Sequence, residues 1–201
     1  VAWTSSGAGT STRASSISRL NGVWVKDSDK RRYLGTIRTT ATTGQCEDSV
    51  EKRYVWNVGN RELRQLYKPE LTSSWSYLAN TFRPYNNSTA NRCEIVVGLV
   101  QPVSINLSVG VILIDTVSTE TAAVAIGLDS TTAPVAGQSY GDVLNENTSS
   151  INCQVEARFN LPVTEGYHYL QALERGANGV ATVFEGTNGG IISGLTGGIF
   201  S

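Results

Sequence analysis

The stretch VSINLSVGVILI at residues 103–114 decides the fold. Hydrophobic side chains occupy every second position from Val103 to Leu113, and this period of two is that of a β-strand with one buried face. The intervening positions are polar in the first half of the stretch and change to Ile112 and Ile114 in the second half. We therefore predict one long strand whose second half is covered on both faces.

Several shorter stretches on either side of this strand have the pattern of further strands. Residues 151–161 alternate in the same way, and Asn-Gly pairs at 178 and 188 supply turn signals between neighbouring stretches. About eight short strands separated by turns predict an all-β fold, an antiparallel β-sandwich. The other predicted strands lie at residues 75–77, 94–99, 122–128, 166–174, 181–185 and 191–199.

The composition of the 201-residue chain agrees with one β-rich domain. Charged residues make up only 16% of the chain, so most of its polarity comes from Ser, Thr, Asn and Gly, which favour strands and turns. No stretch approaches the ~20 consecutive apolar residues of a membrane-spanning helix, and we expect no membrane insertion. Because the chain begins with Val1 and contains no Met, we interpret it as processed or as part of a longer protein.

The pattern divides the chain into three regions. Residues 1–20 are mostly small and polar, and we predict that they form a linker or strap, an extended N-terminal arm. Residues 21–70 contain strand-like stretches at 23–25 and 33–38, which we expect to pair as a hairpin before a short helix. Residues 71–201 are predicted to hold the β-sandwich.

One short α-helix is predicted from about residue 49 to residue 58. Asp48 and Glu51 are spaced as in a capping box, in which such side chains bind the free amides of the first turn. Gly59-Asn60 offers a C-terminal stop that tolerates left-handed geometry. The apolar residues that recur at the spacing of one helix face are Val50, Tyr54, Val55 and Val58.

Charge is distributed unevenly along the chain, although its net value is only −1. Residues 1–100 contain 14 Lys and Arg against 8 Asp and Glu, a net charge of +6, whereas residues 101–201 contain 2 against 9, a net charge of −7. Acidic residues interspersed among the basic ones would repel phosphate, so we predict no binding of nucleic acid. We interpret the asymmetry as docking of a basic N-terminal arm and helix onto an acidic β-domain, of the same subunit or of a neighbour.

Residue types that carry catalysis or bind metals show no functional spacing. His168 is the only histidine, and no nucleophile signature accompanies it, so we interpret it as structural. Asp129 precedes a Ser/Thr run and is predicted to cap a turn. Cys46, Cys93 and Cys153 form no C-x-x-C and are predicted to be buried small residues of a protein folded in a reducing cytosol. We therefore predict no catalytic residues, no metal site and no cofactor.

A few aromatic residues are candidates for contact with a ligand. Trp56 and the polar residues that follow it up to Arg61 fit either recognition of a planar or sugar-like ligand or a buried corner, and we favour the buried corner. Tyr85 and Tyr140 lie in loop-like surroundings and are singled out as exposed aromatic side chains. No further ligand-binding residue is assigned.

Several blocks of the sequence resemble those of one family. RRYLGTIRTT at 31–40, followed by GQ.EDS..KRYVWN and then NR, is similar to a block found in functionally uncharacterised structural proteins of tailed bacteriophages, usually downstream of other virion modules. The similarity continues, in order, over most of the chain. The further blocks are AWT at 2–4, NGVWVK at 21–26, IGLDSTTAPVAG at 126–137, GYHYLQALE at 166–174 and SGLTGGI at 193–199.

The resemblance implies a virion protein assembled in the cytoplasm of a bacterial host. Because virion proteins commonly use the jelly-roll form of the β-sandwich, we choose that form. We expect a non-enzymatic module in a homo-oligomer, a trimer, with other capsid or tail proteins as partners. In one version it is a fibre adhesin whose loops touch host surface glycans; in the other its basic half straps it to an acidic capsid or tail surface as a decoration module.

Two functions from other classes stay open. A carbohydrate-binding module of a secreted bacterial protein would need a planar row of two or three exposed aromatic side chains, whereas the four Trp are spread over stretches that look buried. A polysaccharide depolymerase would need a pair of carboxylates roughly 5 to 10 Å apart. Release of oligosaccharides from host polysaccharide would reveal the depolymerase.

Overall fold

The computed structural model is almost entirely β-structure and describes residues 2–114, 121–144, 150–179, 181–187 and 192–201. Within these ranges the one helical element is a 3₁₀ turn at Tyr85–Asn87. The strands are β1 (Ile17–Leu20), β2 (Val23–Lys26), β3 (Gly35–Ile37), β4 (Lys52–Arg53), β5 (Val55–Asn57), β6 (Leu63–Pro69), β7 (Ser74–Ser76), β8 (Arg83–Pro84), β9 (Arg92–Val97), β10 (Gln101–Ile114), β11 (Thr121–Leu128), β12 (Gly141–Leu144), β13 (Ile151–Val163), β14 (Gly166–Arg175), β15 (Ala181–Glu185) and β16 (Gly194–Phe200).

Two six-stranded sheets pack face to face around one core. In sheet one the order is β6-β16-β10-β15-β7, and β13 lies on the other edge of β10. In sheet two the order is β12-β11-β14-β9-β4, and β8 pairs with the end of β14. The predicted all-β antiparallel sandwich is confirmed.

The antiparallel strand pairs are nested along the chain. The innermost pair is β11 with β12, and around it follow β10 with β13, β9 with β14, and β6 with β16. Successive pairs lie alternately in sheet two and sheet one. This nesting of eight strands in two sheets is the topology of a jelly roll.

The long strand β10 contributes the centre of the core, as its sequence pattern predicts. Its odd-numbered side chains from Val103 to Leu113 are fully buried. Antiparallel pairing with β13 places Ile105 opposite Phe159, which is also buried. Each such side chain contributes roughly 1.5–3 kcal/mol through its burial. In the second half of the strand the even-numbered Ile112 is half-buried, which is the direction predicted.

A second, smaller core covers the outer face of sheet two. Tyr33, Tyr54 and Trp56 pack there against Val96 of β9. These aromatic residues come from the segments around the β3–β5 pair, and Trp24 of the β1–β2 hairpin packs at the margin. The β1–β2 hairpin and the segments around the β3–β5 pair therefore form a third layer on the sandwich.

The α-helix predicted from residue 49 to residue 58 is wrong, because this segment forms β4 and β5. Tyr54 and Trp56 are buried while Val55 between them is exposed, which is the alternation of a strand. The helical spacing misleads because residues four apart share one face in a strand as well as in a helix. Asp48 forms an ion pair with the Arg53 side chain instead of capping a helix.

The Asn21-Gly22 pair forms the turn of the β1–β2 hairpin, with positive φ angles of 49° and 83°. Both central residues of a type I′ turn need such angles, and Asn-Gly adopts them readily. The predicted pairing of 23–25 with 33–38 occurs only where Tyr33 donates its amide to the Trp24 carbonyl at 2.8 Å. Beyond that point β3 pairs with β5 instead.

Candidate functional site

The N-terminal arm, residues 2–16, folds back on itself and lies against one end of the sandwich. Trp3 and Arg13 form an isolated antiparallel bridge within the arm. Gly9 donates its amide N–H to the carbonyl of Tyr167 on β14 at 2.9 Å. The arm is thereby held at the start of β14, beside the turns that connect the two sheets.

Arg13 anchors the arm to the sandwich. Its side chain is only 4% exposed, and its Nε donates to Glu165 Oε2 at 2.8 Å. Its Nη2 donates to the carbonyl of Gly98 at 2.6 Å. The guanidinium carbon lies 4.0 Å from the ring centroid of Trp3 and 5.1 Å from that of Tyr33, so two rings add cation–π stabilisation.

The Arg13 ion pair joins the basic half of the chain to the acidic half. Among the ion pairs of the described residues, Arg83–Glu174 is the second that does so. Lys52, Lys68 and other cations of the first half pair instead with carboxylates of the same half. Within the described part of the subunit, little of the charge asymmetry is therefore neutralised across the halves.

A groove with a volume of about 890 Å³ opens between the arm and the segment that follows β3. Hydroxyl side chains, aromatic rings and one cation line it. Its aromatic residues are Trp3 from the arm and Tyr167 from sheet two. The other lining residues are Thr4, Ser5, Ser6, Ile37, Arg38, Thr39, Thr40, Ala41 and Val96.

Among the described residues that line the groove, Arg38 is the one that carries a charge. Its guanidinium carbon lies 3.6 Å from the ring centroid of Tyr167 and 5.8 Å from that of Tyr54. Its Nη1 donates to the carbonyl of Ser6 at 2.9 Å, which joins the groove wall to the arm. No carboxylate within the described ranges forms an ion pair with Arg38.

Glu94 lies next to the same tyrosines, but its charge is compensated. The hydroxyls of Tyr54 and Tyr167 donate to Oε2, the latter at 2.6 Å, and Arg92 Nε donates to Oε1 at 3.0 Å. Burial opposes ionisation, yet the tyrosine hydrogen bonds and the Arg92 charge outweigh it, so the pKa of Glu94 lies below its ordinary value. Burial and then the Glu94 carboxylate raise the pKa of both tyrosines. Glu94 is therefore an anion already paired with Arg92.

His168 and Asp129, interpreted separately from the sequence, lie together in the structure. Nδ1 of the buried His168 is 2.7 Å from Asp129 Oδ2, and Nε2 is 2.9 Å from the carbonyl oxygen of Thr164. Asp129 Oδ1 also accepts the amide of Tyr169 at 3.0 Å. Because both ring nitrogens face fixed groups of the protein, neither is available to take a proton from a substrate. The pair fastens the loop after β11 to β14.

The aromatic candidates from the sequence are partly wrong. Tyr85, predicted to be exposed, is fully buried, and its hydroxyl donates to the carbonyl of Glu185 at 3.0 Å. Tyr140 is 48% exposed, as predicted, and lies beside Phe82. Trp56 is 1% exposed, as the buried-corner interpretation predicts for it, whereas Asn60 and Arg61 of the same cluster are exposed.

The three cysteines occupy different environments and are all free thiols. Cys93 is buried in the main core, and burial raises its pKa to about 12. Cys153 is partly buried. The prediction of a buried residue is wrong for Cys46, which is exposed and lies in the irregular segment between β3 and β4, where core packing is sparse.

The residues that form the groove were not identified as a site from the sequence. Ile37 to Thr40 lie in the block that carries the family resemblance, which flagged the segment without indicating its role. Nothing in the sequence connects Trp3 and Arg13 with Tyr167. Among the described residues, no three His, Cys, Asp or Glu side chains are grouped so as to hold a metal ion. No helix in that part of the chain has the length and hydrophobicity to cross a membrane.

Comparison with protein-family models, with curated proteins and with solved structures finds no match for this chain.

Proposed function

We propose that this protein is a non-enzymatic structural module of a tailed-bacteriophage virion, acting as a fibre adhesin or as a decoration module in a homo-oligomer. The observation that carries the proposal is the eight-strand jelly roll with nested pairing, closed at one end by the arm. Jelly rolls recur in viral capsid and lectin domains. Because a fold does not imply a function, the sequence resemblance supplies the virion context.

The adhesin version is the one that the surface favours. The groove beside the arm offers hydroxyl groups, two aromatic rings and Arg38, which forms no ion pair with a described carboxylate; such groups recognise polar ligands. The decoration version depends instead on the basic half of the chain, where Lys30 and Arg32 in the turn before β3 are exposed. Attachment through such charges should weaken steeply as salt is raised.

A homo-oligomer, the predicted trimer, is supported by an exposed apolar pair at the edge of sheet one. Leu63 and Phe200 lie opposite each other across β6 and β16 and are 66% and 51% exposed. Pro102 is exposed nearby, and it lines a shallow pocket together with Phe200. Exposed apolar groups gathered in this way are typical of a surface that another chain covers.

The two alternatives have specific requirements that separate them from the proposal. A carbohydrate-binding module of a secreted protein needs a row of exposed rings, and each of the four Trp is buried or half-buried. A depolymerase would release oligosaccharides from host capsular polysaccharide. Incubation of the protein with that polysaccharide, followed by chromatography of the sugars, is expected to show no release.

Mass spectrometry of gradient-purified phage particles tests the proposal itself. We expect peptides of this chain to co-purify with the particles at a stoichiometry that matches other structural proteins. A chain found only in the soluble fraction of the lysate would contradict the virion assignment.

A further inference from the structure

We propose that the groove between the arm and the segment after β3 binds an acidic sugar of a polysaccharide, with Arg38 holding the sugar carboxylate. This inference deepens the proposed adhesin function and rests on it for its biological meaning. The binding itself can be measured on the isolated chain, without the virion.

The groove presents a positive charge to a ligand. Arg38 is the one cation that lines the groove in the part of the chain that the structure describes, and the nearby Glu94 carboxylate is occupied by Arg92 and by two tyrosine hydroxyls. A guanidinium presents five N–H donors in a planar fork that matches a carboxylate. The Arg38 fork is oriented by Tyr167 at 3.6 Å and by its bond to Ser6, which uses one donor. The remaining donors of Arg38 are suited to an anionic ligand group.

Hydroxyl groups suited to a sugar line other parts of the groove. Ser6 and Thr39 have hydroxyls without a hydrogen-bond partner among the described residues, and the Ser5 hydroxyl only accepts the Gly7 amide at 3.2 Å. Hydroxyls that can both donate and accept are suited to the many hydroxyls of a sugar ring. An acidic peptide would offer carboxylates but not the many hydroxyls of a sugar ring.

The groove has an aromatic wall and the volume of an ordinary ligand site. Trp3 lines one side of the groove. The guanidinium carbon of Arg13, which is itself held by its other contacts, lies 4.0 Å from the centroid of the Trp3 ring and keeps that ring in place. Aromatic rings held in place bind the apolar face of a ligand at a low cost in conformational entropy. The volume of about 890 Å³ lies within the ordinary range of ligand sites, roughly 300–1,000 Å³.

Isothermal titration calorimetry with defined oligosaccharides tests the inference. The probes are trigalacturonate, its methyl ester, in which the carboxylates are blocked, an oligomer of N-acetylneuraminate, and a triglutamate peptide. We expect at least one acidic sugar to bind at low salt, and the methyl ester and the peptide to bind at least tenfold more weakly than that sugar. Absence of binding by both acidic sugars would overturn the inference, as would binding of the methyl ester or of the peptide as tight as that of the tighter acidic sugar.

Matched variants assign the binding to Arg38. Arg38→Gln is expected to weaken binding at least tenfold, and Arg38→Lys, which keeps the charge but loses the fork, severalfold. The control is Arg19→Gln, because Arg19 likewise lies over an aromatic ring, that of Trp24 at 5.8 Å, and donates to a backbone carbonyl. Equal binding by the folded Arg38 variants and the wild type would refute the assignment.

The outcome is separable from that of the proposed function. A chain that is present in phage particles but binds no acidic sugar refutes the groove assignment and leaves the virion proposal standing. A chain that binds the sugar but is absent from particles refutes the virion proposal alone.

Discussion

Arg13 Nε lies 2.8 Å from Glu165 Oε2, and this ion pair joins residues 152 positions apart in the sequence. It fastens the polar arm to the turn between β13 and β14. The Arg13 side chain is 4% exposed and that of Glu165 is 24% exposed, so the pair is better shielded from solvent than an ordinary surface ion pair. The arm is therefore an integral part of the domain and forms one wall of the groove.

Arg13→Ala is expected to release the arm. The variant leaves Glu165 without its donor, leaves the Gly98 carbonyl with only the longer hydrogen bond from the Tyr33 hydroxyl at 3.4 Å, and removes the cation beside two rings. We expect a cost of roughly 2–4 kcal/mol in the free energy of unfolding. Urea unfolding measures the loss, and limited proteolysis should cut within residues 2–12. The control is Arg19→Ala, an exposed arginine whose loss should cost less than about 0.5 kcal/mol. Resistance of the arm to proteolysis in Arg13→Ala would contradict the anchoring role.

Gly98→Ala tests the packing of the second core. A Cβ at this position would overlap the Trp56 ring and lie 2.5 Å from the Tyr33 hydroxyl oxygen. Such overpacking is expected to cost roughly 1–3 kcal/mol or more, seen as a lower midpoint in thermal unfolding. Gly59→Ala is the matched control, since nothing lies within 4 Å of its added Cβ. Equal stability of the two variants would show that the Trp56 pocket is not tightly packed.

Glu94→Gln should make stability less sensitive to acid. The pKa of Glu94 is lowered in the folded state from its ordinary value of 4.5, so its contribution is present in full above that pH. It is lost as the pH falls through the lower folded pKa. At pH 7 the variant should be about 1–3 kcal/mol less stable, because charge-assisted bonds from Tyr54 and Tyr167 are weakened.

The measurement for Glu94 is urea unfolding at pH 7 and pH 3. The stability difference between wild type and Glu94→Gln should be smaller at pH 3 than at pH 7. Glu156→Gln, on the exposed face of β13, is the control and should stay close to the wild type at pH 7. A difference that grows on acidification would contradict the assigned direction of the pKa shift.

Replacing both Leu63 and Phe200 with Ser should weaken self-association of the proposed homo-oligomer. Removing two exposed apolar side chains from one interface is expected to raise the dissociation constant at least tenfold. Sedimentation velocity over a concentration series measures it. Leu71→Ser is the control, because Leu71 is 74% exposed but lies in the loop after β6. A wild-type chain that stays monomeric, or a double variant that assembles normally, would rule out this surface.

The strands that the sequence predicts are those with a clear period of two. β10 and β13 alternate because one face of each is buried in the sandwich and the other is in contact with solvent. β6 shows no such alternation in its sequence. Leu66 is its one fully buried residue, and Lys68, two residues later on the same face, is a charged residue that forms an ion pair with Glu51. β12 has only four residues, too few for a period to be read.

The groove could not be predicted for a different reason. Its walls come from the arm, the segment around Arg38, and β14, which are brought together by contacts between residues far apart in the sequence, such as the Gly9–Tyr167 and Arg38–Ser6 hydrogen bonds. A pattern in one sequence contains local periods but no pairing of distant residues. The same limit explains why His168 and Asp129, 39 positions apart, were interpreted separately.

Immunogold electron microscopy of intact phage particles, with an antibody against this chain, shows whether the protein is part of the virion. We expect gold at a fixed position on the particle, at a fibre tip if the adhesin version holds and on the capsid or tail surface if the decoration version holds. Particles of a phage lacking the gene provide the blank. Absence of label on both intact and partly disrupted particles would contradict the assignment of this protein as a virion structural module.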